Sequence, residues 1–313
     1  MSLTIGIDVG GTKVAAGVVD EHGKIVEKLR RPTPSSDPAQ TVATITEVVT
    51  ELRGRHAVDA VGLGIAGFVN ETRSCVVFSP NLGWRDEPVK KAVEERLGIP
   101  VVVENDANAT VWAETRFGAA RGHDFVVLLT IGTGIGTGIV IGGELYRGRW
   151  GIGGEAGHYR VVPDGRVCGC GNRGCWEQYA SGDALMAEAR DFARRAPEAA
   201  TRLLQLGGGT PEGISGPEIT LAAAEGDPVA VRCFEIVGSW LGHGLADLAA
   251  ILDPGCFVVG GGVSEAGNLL LDPARTTFEN SLTGRGHRVP AQILLAELGP
   301  DAGLVGAADL ARR

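Results

Sequence analysis

The chain has 313 residues, which exceeds the usual size of one hydrophobic core and predicts two lobes. It carries 38 acidic and 29 basic side chains, for a formal net charge of -9, and it has no run of lysine and arginine. This balance argues against a nucleic acid or an anionic membrane as the main partner. A phosphate site in such a chain has to be local, built from backbone N–H groups and a bound metal.

The N-terminus and the cysteines indicate the compartment. The first residues lack the basic and apolar regions of a signal peptide, and no apolar run approaches the ~18 residues of a membrane span. Three of the 6 cysteines cluster at Cys168, Cys170 and Cys175, and the others are scattered. We therefore expect a cytoplasmic protein with a metal at the cluster and buried thiols elsewhere.

Strands and helices alternate along the chain, which is the α/β pattern. The N-terminal residues predict an antiparallel meander with a glycine-rich first turn and strands at 3–9, 14–19 and 24–30. Apolar periodicity predicts the elements that follow: a helix at 38–53, a strand at 59–67, a helix at 86–98 begun by Asp86 and ended by Gly98, a strand at 100–106 and a helix at 107–118.

The segment 125–143 repeats the strand, glycine turn and strand of residues 5–19. A hairpin built twice suggests two related lobes with a nucleotide between them, and two independent tight hairpins are the alternative. A glycine- and cysteine-rich insertion follows at 147–182. The remaining predicted elements are helices near 183–195, 197–206, 216–225 and 228–252, a strand from 256, a strand at 292–298 and a helix at 301–313.

Three glycine-rich turns each close an apolar strand and together predict a phosphate site. The first contains Asp8, Gly10, Gly11, Thr12 and Lys13, the second Gly132, Thr133 and Gly134, and the third Gly261 and Gly262 ahead of a predicted helix. Glycine lets backbone N–H groups approach phosphate oxygens, and the carboxylate of Asp8 suits Mg²⁺ or its waters. One such turn is more often an ordinary tight turn, but three favour a nucleotide. The sequence contains no GxxxxGK[ST] P-loop, and no GxGxxG motif opens a helix after the first strand, so a P-loop NTPase and a dinucleotide-binding fold are both disfavoured.

Asn105 and Asp106 end a predicted buried strand, where ligands gather in α/β sheets. Phosphoryl transfer to an alcohol needs one carboxylate that accepts the hydroxyl proton. We assign this role to Asp106, with Asn105 as a hydrogen-bond partner of a sugar. The alternative is that Asp106 only caps the following helix. Strand alternation predicts that the adjacent Glu104 points to the other face.

The insertion brings together His158, Cys168, Cys170 and Cys175 among glycines. This Cys3His set fills all four positions of a structural Zn²⁺ site, so the metal is expected to shape the loop rather than activate water. Free cysteines or disulfides are the less favoured alternative.

Two glutamates, Glu155 and Glu177, flank the zinc ligands along the chain. Surface glutamates are usually only solvated, but these two adjoin a metal-ordered loop, and we expect them to accept hydrogen bonds from sugar hydroxyls. His158 can bind zinc through one ring nitrogen and a sugar hydroxyl through the other.

These motifs resemble the ROK (repressor, open reading frame, kinase) family, and most closely its bacterial glucokinases. The resemblance covers nearly the whole chain, through IGIDVGGTK at 5–13, VGLGIAGFV at 61–69, ENDANA at 104–109, LTIGTGIGTGIV at 129–140, GEAGH at 154–158, CGCGNRGCWEQYASG at 168–182 and VVGGGVS at 258–264. It implies an actin-like, ribonuclease-H-type α/β fold with two lobes around a sugar cleft. The small lobe would comprise 1–107 plus 301–313, and the large lobe 108–300 with the zinc loop 154–177.

The same resemblance implies an ATP-dependent hexose kinase, with glucose as the best-supported sugar, Mg-ATP as phosphoryl donor and a structural Zn²⁺. It makes Asp106 the base and implies a homodimer or homotetramer. Its sugar ligands match Asn105, Glu155, His158 and Glu177, and Gly67 and Asn81 would line the same pocket.

Four alternatives stay open at this point. A ROK repressor carries a winged helix-turn-helix ahead of the first hairpin, which here starts at residue 3, so we expect no DNA-binding segment. A kinase for fructose, mannose, N-acetylmannosamine or allose could use the same carboxylates. A polyphosphate-dependent glucokinase would lack the cysteine cluster, and an actin-like ATPase without a sugar would need neither the Asn-Asp pair nor the zinc loop.

Overall fold

The computed structural model describes residues 3–313, and Met1 and Ser2, which begin the predicted small lobe, lie outside the described residues. The strands are β1 (Thr4–Val9), β2 (Lys13–Val19), β3 (Ile25–Pro32), β4 (Ala60–Ile65), β5 (Phe68–Val69), β6 (Val76–Ser79), β7 (Trp84–Glu87), β8 (Val101–Asn105), β9 (Val126–Ile131), β10 (Ile135–Ile141), β11 (Glu144–Leu145), β12 (Cys256–Gly260) and β13 (Gln292–Leu295). The helices are α1 (Pro38–Arg53), α2 (Val89–Leu97), α3 (Asp106–Phe117), α4 (Glu177–Ala180), α5 (Gly182–Arg195), α6 (Thr201–Leu206), α7 (Gly216–Ala224), α8 (Pro228–Leu252), α9 (Asn268–Ser281) and α10 (Ala302–Leu310).

The chain divides into two compact units. Unit 1 comprises Met1–Leu128, Thr137–Gly154 and Ala296–Arg313, and unit 2 comprises Leu129–Gly136 and Glu155–Leu295. The lobe boundaries at 107 and 301, which follow from the family resemblance, remain a prediction.

The main sheet of unit 1 has the order β3-β2-β1-β4-β8. Its first three strands form the predicted antiparallel meander, and β1, β4 and β8 are parallel. Val9 pairs with Ile65, and Ile65 pairs with Asn105, so the carboxyl ends of the three parallel strands lie level. This level edge places the polar residues that follow each strand close together.

Apolar side chains cover both faces of this sheet. On one face the strands share a buried core with α1 and α2, in which Val42, Ile45 and Val93 are sealed from solvent. On the other face α10 approaches so closely that a Cβ on Gly6 or Gly62 would collide with its backbone. The buried Trp112 of α3 donates a 2.9 Å hydrogen bond to Asp309 of α10, which fixes these two helices together.

The predicted start of α2 at Asp86 is wrong. Asp86 belongs to β7, with φ of 49°, and α2 begins only at Val89, after Pro88. A proline disfavours helical dihedrals in the residue before it, so Glu87 stays extended and the strand runs up to Pro88. The predicted helix end at Gly98 is confirmed by its left-handed φ of 65°.

A second sheet has the order β11-β10-β9-β12-β13. Counted along the chain, this is the same order as in the first sheet, which confirms the predicted repeat. The division into units passes through β9 and β10, so the turn Gly132–Gly134 belongs to unit 2.

Within unit 2 the long helix α8 supports the cysteine-rich insertion. Trp176 is buried and donates a 2.8 Å hydrogen bond to the carbonyl oxygen of Trp240. Gly244 leaves the space that the indole ring fills, since a Cβ there would collide with it. In the part of the chain that the structure describes, no helix combines the length and apolar character of a membrane span.

Candidate active site

The end of β8 and the start of α3 form a fixed turn. Asn105 has extended dihedrals and caps α3, because its side-chain oxygen accepts a 3.0 Å hydrogen bond from the Asn108 N–H. Its side-chain nitrogen donates to the Gly67 carbonyl oxygen at 3.1 Å and to Asp106 Oδ1 at 3.0 Å. The cap is therefore Asn105, and the interpretation of Asp106 as a mere cap does not hold.

Asp106 is the first residue of α3, and its carboxylate is held in one orientation. Oδ1 accepts hydrogen bonds from the Ala107 N–H at 2.9 Å and from Asn105. Burial raises the pKa of Asp106, and these hydrogen bonds oppose that rise. A carboxylate fixed at a sheet edge with increased basicity suits proton acceptance.

Glu104 lies in β8, one residue before Asn105, and its contacts differ from those of Asp106. Its orientation towards the other face of the strand remains a prediction. Its side chain is 1% exposed and forms ion pairs with Arg147 and Arg73. The environments of the two acids therefore differ. The carboxylate of Glu104 is paired with two positively charged guanidinium groups, whereas the carboxylate of Asp106 accepts hydrogen bonds from uncharged donors.

Asp8, near the carboxyl end of β1, is coupled electrostatically to Asp106. Burial, and next the negative charge of Asp106, raise the pKa of Asp8 to about 6, while Lys13 opposes the rise. The structure thus brings together these two carboxyl groups, which the sequence assigns to the metal and to the sugar.

The first glycine turn is braced by a neighbouring loop. Gly10 N–H donates to Lys13 O at 3.0 Å, and Thr33 Oγ1 donates to Gly10 O at 2.7 Å. Gly11 packs against the backbone of Asn81, since a Cβ there would lie 3.0 Å from the Asn81 carbonyl oxygen. Asn81, assigned to the sugar pocket by resemblance, therefore lies beside the phosphate turn.

The second and third glycine turns meet in unit 2 around a cavity of about 710 Å³. Gly182, at the start of α5, donates a 2.7 Å hydrogen bond to Gly132 O, and Gly261, with φ of 86°, packs against the backbone of Ile131. The cavity is lined by Gly132, Thr133, Gly182, Asp183, Leu185, Met186, Gly216, Pro217, Thr220, Leu221, Ala224, Gly262, Val263, Glu265 and Ala266.

The third turn does not open a long helix. Gly262–Ala266 is a 3-10 turn, and α9 begins only at Asn268. The helix expected after Gly261 and Gly262 is thus a short 3-10 helix with Gly261 at its N-cap, and Gly267, with φ of 59°, separates it from α9. The sequence analysis missed Gly182 and Asp183 at the start of α5, although Ser181 ahead of them is a recognisable N-cap.

His158, Cys168, Cys170 and Cys175 converge, with one ligand atom from each lying within 4.8 Å of the others. His158 Nδ1 lies 3.6 Å from Cys168 Sγ, and Cys170 Sγ lies 3.7 Å from Cys175 Sγ. Tetrahedral zinc with Zn–S near 2.3 Å separates two sulfurs by about 3.8 Å, and a sulfur from a nitrogen by about 3.6 Å. The donor set and its spacing therefore fit Zn²⁺.

The three predicted sugar ligands of unit 2 are close to this cluster. Glu155 precedes a 3-10 turn that ends at His158, and His158 N–H donates to Glu155 O at 3.1 Å. Glu177 Oε1 lies 2.9 Å from Cys168 Sγ, and its Oε2 accepts a 3.4 Å hydrogen bond from the Ile135 N–H. Glu177 thus links the cluster to the second glycine turn, a contact that the sequence did not indicate.

The chain is similar to known proteins over its whole length. A model of the ROK family matches residues 4–313. The glucokinase of Streptomyces coelicolor is 54% identical over 312 residues, 100% of this chain and 98% of that protein. The glucokinase of Thermotoga maritima is 36% identical over 313 residues, 98% of this chain and 96% of that one. A crystal structure of a ROK family glucokinase from Streptomyces griseus, in complex with glucose and AMPPNP, matches with a TM-score of 0.89 at 55% identity, covering 99% of both chains.

Proposed function

The chain belongs to the ROK family and has its actin-like α/β fold, and on this premise we propose that it is an ATP-dependent glucokinase. The reaction transfers the γ-phosphoryl group of ATP to the 6-hydroxyl of glucose and gives glucose 6-phosphate and ADP. The observation that carries the proposal is the 55% identity, over 99% of both chains, to a glucokinase whose crystal structure contains glucose and AMPPNP.

In the proposed reaction, Asp106 accepts the proton of the 6-hydroxyl while the oxygen attacks the γ-phosphorus. Ala107 and Asn105 hold Oδ1, so we assign Oδ2 to the hydroxyl. Burial raises the pKa of Asp106, which increases its basicity towards that of an efficient base at neutral pH. One carboxylate suffices, because phosphoryl transfer depends mainly on positioning and electrostatic stabilisation.

We assign the phosphate tail of the nucleotide to Gly10–Lys13 and Gly132–Gly134, and the adenosine to the unit 2 cavity. The cavity volume of about 710 Å³ lies within the range of small-molecule sites. Backbone of Gly132 and Gly262 and side chains such as Met186 line it, which suits a flat base with an anionic tail. When bound with ATP, Mg²⁺ neutralises phosphate charge, and Asp8, ionised above a pKa of about 6, would hold the ion or its waters.

We assign the sugar hydroxyls to Glu155, His158 and Glu177, together with Asn105. If Nδ1 of His158 binds zinc, the other ring nitrogen remains available for a hydroxyl. The zinc ligands would then hold the sugar ligands in place, which is the role we propose for the metal.

We further propose a cytoplasmic homodimer or homotetramer. All six cysteines are free thiols, which fits a reducing compartment. Light scattering of the purified protein measures the oligomeric state, and a monomer would remove that part of the proposal.

A coupled assay for ADP tests the function. Purified protein receives Mg-ATP with glucose, fructose, mannose, N-acetylmannosamine or allose, and Asp106→Asn provides the background rate. We expect glucose to give the highest kcat/KM. A higher value with another hexose would reassign the sugar, and polyphosphate in place of ATP checks the donor. Absence of hexose-dependent ADP from the native protein would refute the kinase itself.

A further inference from the structure

A buried ion-pair cluster lies behind the proposed base, and the chemistry assigned above does not use it. The carboxylate of Glu104 is 1% exposed. Arg147 Nε lies 3.1 Å from Oε1 and 2.9 Å from Oε2, and Arg73 Nε lies 3.0 Å from Oε2. One carboxylate thus has two guanidinium partners, both from segments distant in sequence.

Arg147 contacts more than the carboxylate. Its two terminal nitrogens donate to the carbonyl oxygens of Glu71 at 3.0 Å and of Asn70 at 2.9 Å. All three guanidinium nitrogens are therefore used, and the side chain is 11% exposed. Arg147 fixes Glu104 to the backbone at residues 70–71, whereas the described contact of Arg73 is with Glu104.

Glu104 in turn contacts the residues that hold the base. Its Oε1 accepts hydrogen bonds from the Asn105 N–H at 2.9 Å and from Asn108 Nδ2 at 3.1 Å. Asn105 caps α3 on the Asn108 N–H and donates to Asp106 Oδ1. A continuous set of hydrogen bonds therefore runs from the backbone at residues 70–71 through Arg147, Glu104 and Asn105 to Asp106.

Stability alone does not account for this arrangement. A buried ion pair is weak evidence for stabilisation, since apolar residues of similar volume often serve as well or better. Arg147 supplies a planar fork that engages two carbonyls and one carboxylate at once, which is a geometric function. Near-attack geometry is sensitive to displacements of about 1 Å, so fixing the base has a large kinetic value.

We propose that Arg147 is a positioning residue for the reaction: through Glu104 it fixes the Asn105–Asp106 pair at the end of β8. The proposal rests on the proposed function, since it takes Asp106 as the base. It deepens that function by extending the site to a residue that touches neither sugar nor nucleotide.

The test compares Arg147→Met with Arg73→Met, which removes a guanidinium from the same carboxylate but leaves the Asn70 and Glu71 contacts intact. Arg147→Met should lower kcat roughly 10- to 100-fold and raise KM for glucose, with KM for ATP unchanged. Arg73→Met should change kcat less than about 3-fold. Equal losses in both variants, or native kinetics in a folded Arg147→Met protein, would overturn the proposal.

Two further measurements keep the result interpretable. Amide hydrogen exchange at residues 104–110 needs no substrate, and it should increase in Arg147→Met but not in Arg73→Met, so the proposal can fail independently of the kinase assignment. If Arg147→Met does not fold, Arg147→Lys replaces it. Lysine keeps the charge but lacks the planar fork, so a lower kcat at unchanged KM for ATP supports the proposal, and native kinetics contradicts it.

Discussion

The end of β8 in unit 1 and the zinc loop in unit 2 position their functional groups in different ways. At the end of β8, a strand, a helix and a side-chain cap orient Asp106 before any ligand binds. In the zinc loop, residues 159–176 form turns and two isolated bridges, and the ligand set converges on one point. The first site is therefore organised by hydrogen bonds within unit 1, whereas we expect the second to be shaped by the metal that its four ligands would hold.

The largest effect is expected at the end of β8. Asp106→Asn keeps the volume of the side chain and removes its basicity, so kcat should fall by about 10²–10⁴. Zinc content should stay native, because the zinc ligands lie in unit 2 and the cap at Asn105 stays in place. Steady-state kinetics with Asp124→Asn, an exposed acid of the same unit, provides the control. Turnover within tenfold of the native protein would remove Asp106 from the chemistry.

The zinc loop should respond through structure. Cys170→Ser removes one of four ligands, and bound zinc should fall from about one per chain to near zero, with loss of most activity. Metal analysis and thermal unfolding measure this, and Cys233→Ser makes the same chemical change at a buried thiol of unit 2 outside the cluster. A zinc-free Cys170→Ser protein that turns over normally would contradict the shaping role of the metal.

In unit 1, the stability of the fold should depend on pH through Asp8, which lies near Asp106. The pKa of Asp8 rises from 3.8 to about 6 on folding, so the folded state binds more protons than the unfolded state between these values. The stabilisation from the protonated carboxyl is present below the lower value and is lost as the pH rises through about 6. Asp8→Asn should therefore raise the free energy of unfolding by about 3 kcal/mol at pH 7.5, and by roughly half of that at pH 5.

Urea unfolding at the two pH values, without nucleotide, measures this effect. Asp20 provides the matched control. Backbone N–H groups of Lys24 and His22 lower its pKa, so the folded state favours its ionised form, which is the opposite of Asp8. Asp20→Asn should be neutral or slightly destabilising. A pH-independent gain from Asp8→Asn would mean that the neutral side chain packs better and that the ionised carboxylate is not the cause.

The sequence predicted the fold well where the local signal and the tertiary packing agree. Apolar periodicity located α1 at its full extent, and the repeated hairpin, which suggested two related lobes, belongs in the structure to two sheets that share one strand order. It failed at α2, where Asp86 resembled an N-cap and Pro88 set the boundary. After Gly262 the expected helix is divided, because Gly267 separates a 3-10 helix from α9.

For the site, short motifs identified the groups that carry chemistry but not those that support them. The spacing of the cysteines predicted the zinc ligands, because a Cys3His set in one loop has few other uses. The contacts of Arg147 with Glu104 and with residues 70–71 join segments far apart in the chain, and no periodicity encodes them. Contacts of this kind become visible only once the sheet is assembled.

The smallest effect is expected from a residue that contacts a zinc ligand without binding the metal itself. Asn172 Nδ2 donates to Cys170 Sγ at 3.6 Å, and its backbone oxygen accepts from the Cys168 N–H at 2.9 Å. Asn172→Ala removes the first contact and keeps the second, so zinc affinity should fall about tenfold, while kcat at saturating zinc stays native. Competition with a chelator measures the affinity, and Asn280→Ala on α9 provides the control. A side chain that only supports a zinc ligand affects how tightly the metal is bound, but it does not affect the shape that the bound metal gives the loop. A lower kcat at full zinc occupancy would therefore show that Asn172 shapes the loop itself.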